Sequence, residues 1–345
     1  MKGEKTMNKK LKLLPVILCL FDGNLNTNVT TAPGMTDEMK KFYSDYLIDN
    51  AEPELVHAQH GQKHTIPKNG GKTIEFRKYD SLPKNITPLV EGVTPDGQTI
   101  KMSVVEATAE QYGGYATLSD VLILTAIDNN LVEATKLLAS QAGRTLDTIT
   151  REELCGGTNV QYAEGQVSSR ATLVGGKESG NHYLTVKAVR MAVRTLKVMN
   201  TPKIDGDYVG IIHPDCSYDI MNDPEWKYPH QYVDTENIYA EEIGKIAGVR
   251  FSETSEGKVF AGEGAEGRDV YATLIMGANA FGVIDIAGGG LTHIVKQLGS
   301  GGTADPLNQR ATVGWKAMYV CKRLVEQYLV RIETTSTFTG SMDAA

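Results

Sequence analysis

The longest regular hydrophobic pattern in the chain runs from Val121 to Ile149. Val121, Leu124, Ile127, Leu131, Leu138, Ala142, Leu146 and Ile149 are separated by threes, fours and one seven, which sets them on one stripe of a helix. Thr117 and Ser119 are candidate N-caps, and Gly156-Gly157 is a stop signal. The pattern predicts a helix from Ser119 to Leu154, a rod of ~50 Å at ~1.5 Å rise per residue, with a break near Asn129-Asn130. A shorter helix is predicted from Thr36, where "TDEMKKFYSDYLIDNAEPEL" places a cap, two acids and then Met39, Phe42, Tyr43 and Tyr46 at helical spacing, ended by Pro53.

Between these helices the period changes. After Gly70-Gly71, Ile74 and Phe76 alternate with Glu75 and Arg77; from Thr99 to Val104, Ile100, Met102 and Val104 share one side. The stretch joining them holds Pro83, Pro88 and Pro95-Asp96-Gly97 and few residues that pack, so the region reads as a long extended hairpin. Such a two-stranded ribbon is marginal alone in water, and its edges invite pairing with another chain.

The second half alternates helix and strand, a mixed α/β pattern. Thr185 to Met199 reads as a helix stopped by Pro202, Tyr208 to His213 as an apolar strand ending at Pro214, and Ile238 to Ala247 as a short helix. Val249 to Phe251 and Val270 to Met276 read as strands, and Gly288 to Gly290 and Gly299 to Gly302 bracket a loop region. Val313, Trp315, Ala317 and Tyr319 alternate with Gly314, Lys316 and Met318, and Leu329 to Ile332 continues as strand. Residues after Thr334 are small and polar and are expected to fray.

Composition bounds the function. At 345 residues the chain exceeds the size at which one core usually stops growing, so two or more lobes are expected. A net charge of −7 and a pI of 5.6 lack the basic footprint of a protein that grips nucleic acid through its phosphates. The N-terminal "MNKKLKLLPVILCLFDG" carries an apolar run from Leu13 to Phe21, but Asp22 and Asn24 follow it without a small-x-small cleavage pattern, so retention of this segment is expected. The run is also short of the ~20 residues of a membrane span. Asn28 and Asn85 head glycosylation sequons that matter only in a secreted protein.

Candidate chemistry is sparse. Cys19, Cys155, Cys216 and Cys321 form no C-x-x-C pair and are expected to be buried, reduced thiols. His57, His60 and His64 in "HAQHGQKH" could share a helical face and supply a catalytic zinc set. Gly61 and Pro67 weaken that helix and no H-E-x-x-H is present, so solvated histidines at a helix-to-loop junction are expected instead. His213 before Pro214 reads as a strand-terminating histidine with a structural hydrogen bond. Lys187, Arg190, Arg194 and Lys197 form a basic stripe on one helix, read as a solvated face. No P-loop or G-x-S-x-G elbow occurs and no G-x-G-x-x-G is read as following a strand, so no catalytic, cofactor-binding or metal-binding residue is assigned and no cofactor is expected.

"GGKTIEFRKY" with "PLVEGVTPDG", then "VGIIHPD", "EIGKIAGVRF" and "VGWKAMYVCKRL…YLVRIET", in this order over most of the chain, resemble the major capsid proteins of tailed bacteriophages, specifically the phage-N4-type family. The resemblance implies an α+β, HK97-like coat fold. On that reading residues 1–53 are an N-terminal arm with a short helix, and 54–118 the extended-loop region of a peripheral domain. Residues 119–184 are the spine helix and more of the peripheral domain, 185–302 an α/β axial domain, 303–335 strands returning to the peripheral domain, and 336–345 a flexible tail. The implied role is a structural subunit, not an enzyme, that self-assembles as hexamers and pentamers of an icosahedral virion shell. Packaged double-stranded DNA would be near by proximity alone, and no membrane is involved. Assembly would take place in the bacterial cytoplasm. A helix beginning by Thr36 leaves no room for a long cleaved scaffolding segment, so a separate scaffolding protein is expected beside the portal. Two other classes compete: a metal-dependent hydrolase built on His57, His60 and His64, and a secreted surface-layer subunit.

Overall fold

The computed structural model describes residues 56–79, 81–89, 91–92, 94, 96–125, 130–163, 168–175, 182–227, 244–302 and 305–338. The expected N-terminal arm, its apolar run and the helix from Thr36 lie outside these residues.

Two sheets and one long helix carry the architecture. The first sheet is built on β13 (Arg310–Arg323), a strand long enough to pair with three others. β4 (Glu110–Ser119) runs antiparallel along one side of it; β12 (Thr292–Lys296) and β11 (Phe281–Ile286) follow one another along the other, and β1 (Gln62–Ile66) adds parallel to β11. The alternation read from Val313 to Tyr319 is the inner face: Val313, Trp315, Ala317 and Tyr319 are all buried.

The second sheet has the order β5-β14-β10-β6-β8-β7, with β9 beside β10: β5 (Val160–Tyr162), β6 (Tyr208–Ile212), β7 (Lys245–Ile246), β8 (Val249–Glu253), β9 (Val259–Phe260), β10 (Val270–Met276) and β14 (Leu329–Thr334). β6 and β10 are buried at every position because both faces are covered. Val209, Ile211, Leu274 and Met276 face one core; Tyr208, Ile212, Tyr271 and Ile275 face another.

The first core also holds the predicted spine. It consists of α1 (Asp120–Thr125) and α2 (Asn130–Cys155). Leu131, Leu138, Ala142 and Leu146 of the predicted stripe pack against Trp315, Ala317 and Tyr319 on one side and the second sheet on the other. The second core is closed by α3 (Val186–Val198) and α4 (Pro214–Asn222). Thr185, the first residue of the predicted helix, is its cap, accepting from the Ala188 N–H.

Several expectations change. Thr117 and Ser119 are not caps but the end of β4, and Asp120 starts the helix, its own carboxylate accepting from the Val121 N–H at 2.8 Å. Val121, counted in the core stripe, is exposed. β4 holds Gly113-Gly114, a pair that often marks a turn; here a Cβ on Gly114 would meet the Gln141 amide at 2.5 Å and one on Gly113 the Trp315 carbonyl at 2.7 Å, so Gly114 lets the strand lie close under α2 and Gly113 close against β13. The loop bracketed by Gly288–Gly290 and Gly299–Gly302 contains β12. The end of the helix expected to reach Ala247 is instead β7 and a turn in which Ala247 and Gly248 take positive φ; residues 228–243 lie outside the described ones. Pro214 does not merely stop a strand but occupies the first turn of α4, where its missing N–H costs nothing.

The expected domain boundaries also shift. β11 and β12, assigned to the axial span 185–302, belong to the first sheet, and β14, assigned to the returning strands of 303–335, pairs with β10 in the second. The tail from Ser336 is not free at its start: Thr335 and Ser336 are fully buried, and Asp219 accepts hydrogen bonds from the Thr337 N–H and hydroxyl.

Candidate functional site

β2 (Thr73–Tyr79) and β3 (Met102–Thr108) form a separate two-stranded ribbon, paired from Thr73↔Thr108 to Tyr79↔Met102. It leaves the body at Gly70-Gly71, where Gly71 takes φ of 84°, and its base is closed by the Ala109 N–H donating to the Lys72 carbonyl at 2.8 Å.

The ribbon has two unlike ends. At the base, Ile74, Phe76 and Ala107 pack with Ile66, Ile284 and Ile286 into a small core of their own, and His64 meets the Phe76 ring edge-on at 5.0 Å. The face read from Ile100, Met102 and Val104 is therefore the outer one, and it is Val105 and Ala107 that turn inward. Toward the tip no described residue covers the apolar side chains: Tyr79 is 65% exposed, Ile86 87%, Leu89 73% and Ile100 67%. Residues 81–89 and 96–101 have no ladder partners among the described residues. Basic and acidic residues alternate along the ribbon, with Arg77 near Glu75 at 3.5 Å, so the apolar tip sits on a nearly neutral stem.

A second apolar surface lies on the outer face of α2, where a groove is lined by Tyr112, Leu137, Arg144, Ile149 and Glu256. Leu137 is 72% exposed, and Arg144 pairs with Glu256 at 2.7 Å across the groove. Sequence reading missed this surface; the signal was Leu137 itself, an apolar residue off the buried stripe.

The three histidines do not converge. His57 is fully buried, its backbone N–H and ring Nδ1 both meeting the Asp147 carboxylate, at 2.8 and 2.7 Å; it is not the solvated residue expected. His60 lies close enough to Arg250 and Asp205 to feel both charges, and burial holds its pKa below the ordinary value. His64, in β1, bonds Gln62 at 3.1 Å and lines a cavity with Lys63 and Asp285 that neither His57 nor His60 reaches. Among the described residues no three His, Cys, Asp or Glu side chains are placed to hold a metal ion.

His213 makes the structural bond expected of it, capping α4. The basic stripe of Lys187, Arg190, Arg194 and Lys197 lies on the exposed face of α3, with Arg190 paired to Glu225. Cys155, Cys216 and Cys321 are free, buried thiols, each pushed up to about 12 by burial; Cys19 lies outside the described residues. Among the described residues no helix is long and apolar enough to cross a membrane.

No protein-family model matches the chain, and no curated protein matches its sequence. Solved structures do match in fold. The capsid of Ralstonia phage GP4 aligns with a TM-score of 0.64 at 14% identity, covering 80% of this chain and 87% of that one. The cyanophage Pam1 capsid aligns at 0.64 and 12%, covering 94% and 100%, and that of cyanophage P-SCSP1u at 0.59 and 13%, covering 93% and 94%. The two sheets, the long helix between them and the projecting ribbon are thus the α+β, HK97-like fold of phage capsid chains.

Proposed function

We propose that this chain is a coat subunit that assembles with copies of itself into an icosahedral phage head. The observation that carries this is the ribbon: Ile86, Leu89 and Ile100 are exposed on a two-stranded stem that none of the described residues covers. Apolar side chains of this kind stabilise by roughly 1.5–3 kcal/mol each when buried, and a neighbouring copy in a shell supplies the cover. The fold shared over nearly the whole chain with phage capsid structures supports the same reading.

The role is structural rather than catalytic. The histidine set of the hydrolase reading is split among three separate environments, and the apolar ribbon has no use in such an enzyme. Placement in the phage-N4-type family rests on the quoted sequence motifs. The natural setting is the virion, with assembly in the bacterial cytoplasm around a separate scaffolding protein and a portal, and with packaged DNA held by enclosure. The acidic net charge supports that last point, since a lining that gripped phosphates would resist packing and release. Negative-stain microscopy and sedimentation of the concentrated protein, alone and with phage-lysate partners, test the proposal. Closed shells or capsomers are expected; a protein that stays monomeric under all conditions overturns it.

A further inference from the structure

The residue that caps α4 is a histidine, an uncommon choice, because its acceptor atom is also the atom that titrates. His213 has extended backbone angles (φ −81°, ψ 145°), and its Nδ1 accepts from the Asp215 N–H at 3.2 Å. We propose that His213 is an acid-sensitive cap: a proton on Nδ1 unseats the first turn of α4 and releases the C-terminal residues docked on that helix. This inference does not depend on the coat assignment.

The chemistry is local. With Nδ1 protonated the ring has no acceptor for the Asp215 N–H, and a cation stands at the positive end of the helix. The new N–H has a destination, because Asp215 Oδ2 lies 3.5 Å from Nδ1. That oxygen already accepts from the Tyr271 hydroxyl at 2.7 Å, so turning it toward the ring draws Asp215 away from β10. The other groups on this side are the Tyr271 ring, 4.9 Å from that of His213, Glu253 of β8, which accepts from the Ser217 hydroxyl, and Asp219.

The neutral ring is the resting form. Burial lowers the pKa of His213 below 6.5, outweighing the pull of Asp215 in the opposite direction. A histidine depressed in the folded state contributes stability that is complete above its unfolded pKa and is lost as pH falls through 6.5 and below. The C-terminal segment feels the change directly. The Ser336 hydroxyl donates to the Asp215 carbonyl, Thr337 to Asp219, and the Phe338 ring packs edge-on against Tyr218 at 5.1 Å. All three docking positions, Asp215, Tyr218 and Asp219, lie on α4.

Hydrogen exchange of the full-length, unassembled chain, corrected at each pH against the denatured chain, reads this out. Between pH 7.5 and 5.5, wild type is expected to lose about tenfold in protection over 213–222 and 335–338, the scale of a lost N-cap. His213→Asn, whose side chain accepts at both pH values, should keep its protection at both. His213→Asp serves the same purpose if the Asn variant fails to fold. The proposal is overturned if wild-type protection is unchanged across this range, or if the acceptor variant loses protection as wild type does.

Discussion

The buried carboxylate of Asp147, in the middle of α2, holds His57 by two bonds at once, one to its backbone N–H and one to its ring. This tie fixes the start of the described chain against the spine helix and orients β1, which follows within a few residues. Removing the acceptor strands a buried N–H and a buried ring nitrogen. Asp147→Ala is therefore expected to lower stability by about 3 kcal/mol, read by urea unfolding of the monomer. An unchanged midpoint would mean that the pair is not the anchor described.

The same geometry bears on metal binding. His57 has one ring nitrogen committed to Asp147, and His64 points to a different cavity. Elemental analysis after dialysis should find no stoichiometric zinc. One zinc per chain, lost in a triple His→Ala variant at 57, 60 and 64, would revive the hydrolase reading.

The buried thiols make a separate prediction. Cys155, Cys216 and Cys321 are pushed up to about 12, in each case first by burial. Because the thiolate is the reactive form, none should react with a thiol reagent at pH 8 in the native protein, and all three should react once it is unfolded. Rapid native labelling of any of them, mapped by peptide mass, would contradict the packing described.

What was legible in the sequence is what depends on neighbours in the chain. The α3 helix, the β10 run from Val270 to Met276 and the alternation in β13 all carry their period locally. What was illegible depends on distant residues. β4 goes unread because Gly113 and Gly114 interrupt any alternation and find their reason only beneath Gln141 and Trp315, and α4 hides behind a proline that reads equally well as a stop. His57 looks solvated because its partner lies 90 positions away. The candidate site was legible in outline, since a proline-rich hairpin with few apolar residues cannot bury itself. The sequence did not divide it into a packed base and a bare tip, because Phe76 and Ala107 find their partners on β1 and β11.

The first residues of the C-terminal segment are tied to the body. Thr335 donates from its N–H to the His182 carbonyl and from its hydroxyl to that of Val174, and Thr337 makes two bonds to Asp219. A chain ending at Phe338 keeps all of these bonds and is the reference. One ending at Thr334 loses these four bonds and should be less stable by about 3–4 kcal/mol, at ~1 kcal/mol each. Equal melting of the two truncated chains, by circular dichroism, would return residues 335–338 to the status of a free tail.

The ribbon prediction separates assembly from folding, and the division between base and tip decides where to cut. Phe76 is half-buried against Ile284, so Phe76→Ala should cost about 1–2 kcal/mol of monomer stability, less than the ~3–5 of a fully buried phenylalanine. The tip carries no such load. Tyr79 and Met102 are directly paired, so residues 80–101 are replaceable by an Asn-Gly turn that keeps the strand register and the twist of a two-residue hairpin. This variant loses Ile86, Leu89 and Ile100 but no residue of the small core at the base. It should melt cooperatively within a few degrees of wild type, since these side chains are largely exposed and no described residue packs over them. It should also fail to form closed shells, because the apolar surface meant for a neighbour is gone. Melting and sedimentation are read together. Shells formed by the shortened chain would show that the tip is not the contact between copies. A monomer that no longer folds would place the tip in the core and reverse the reading of its exposed side chains.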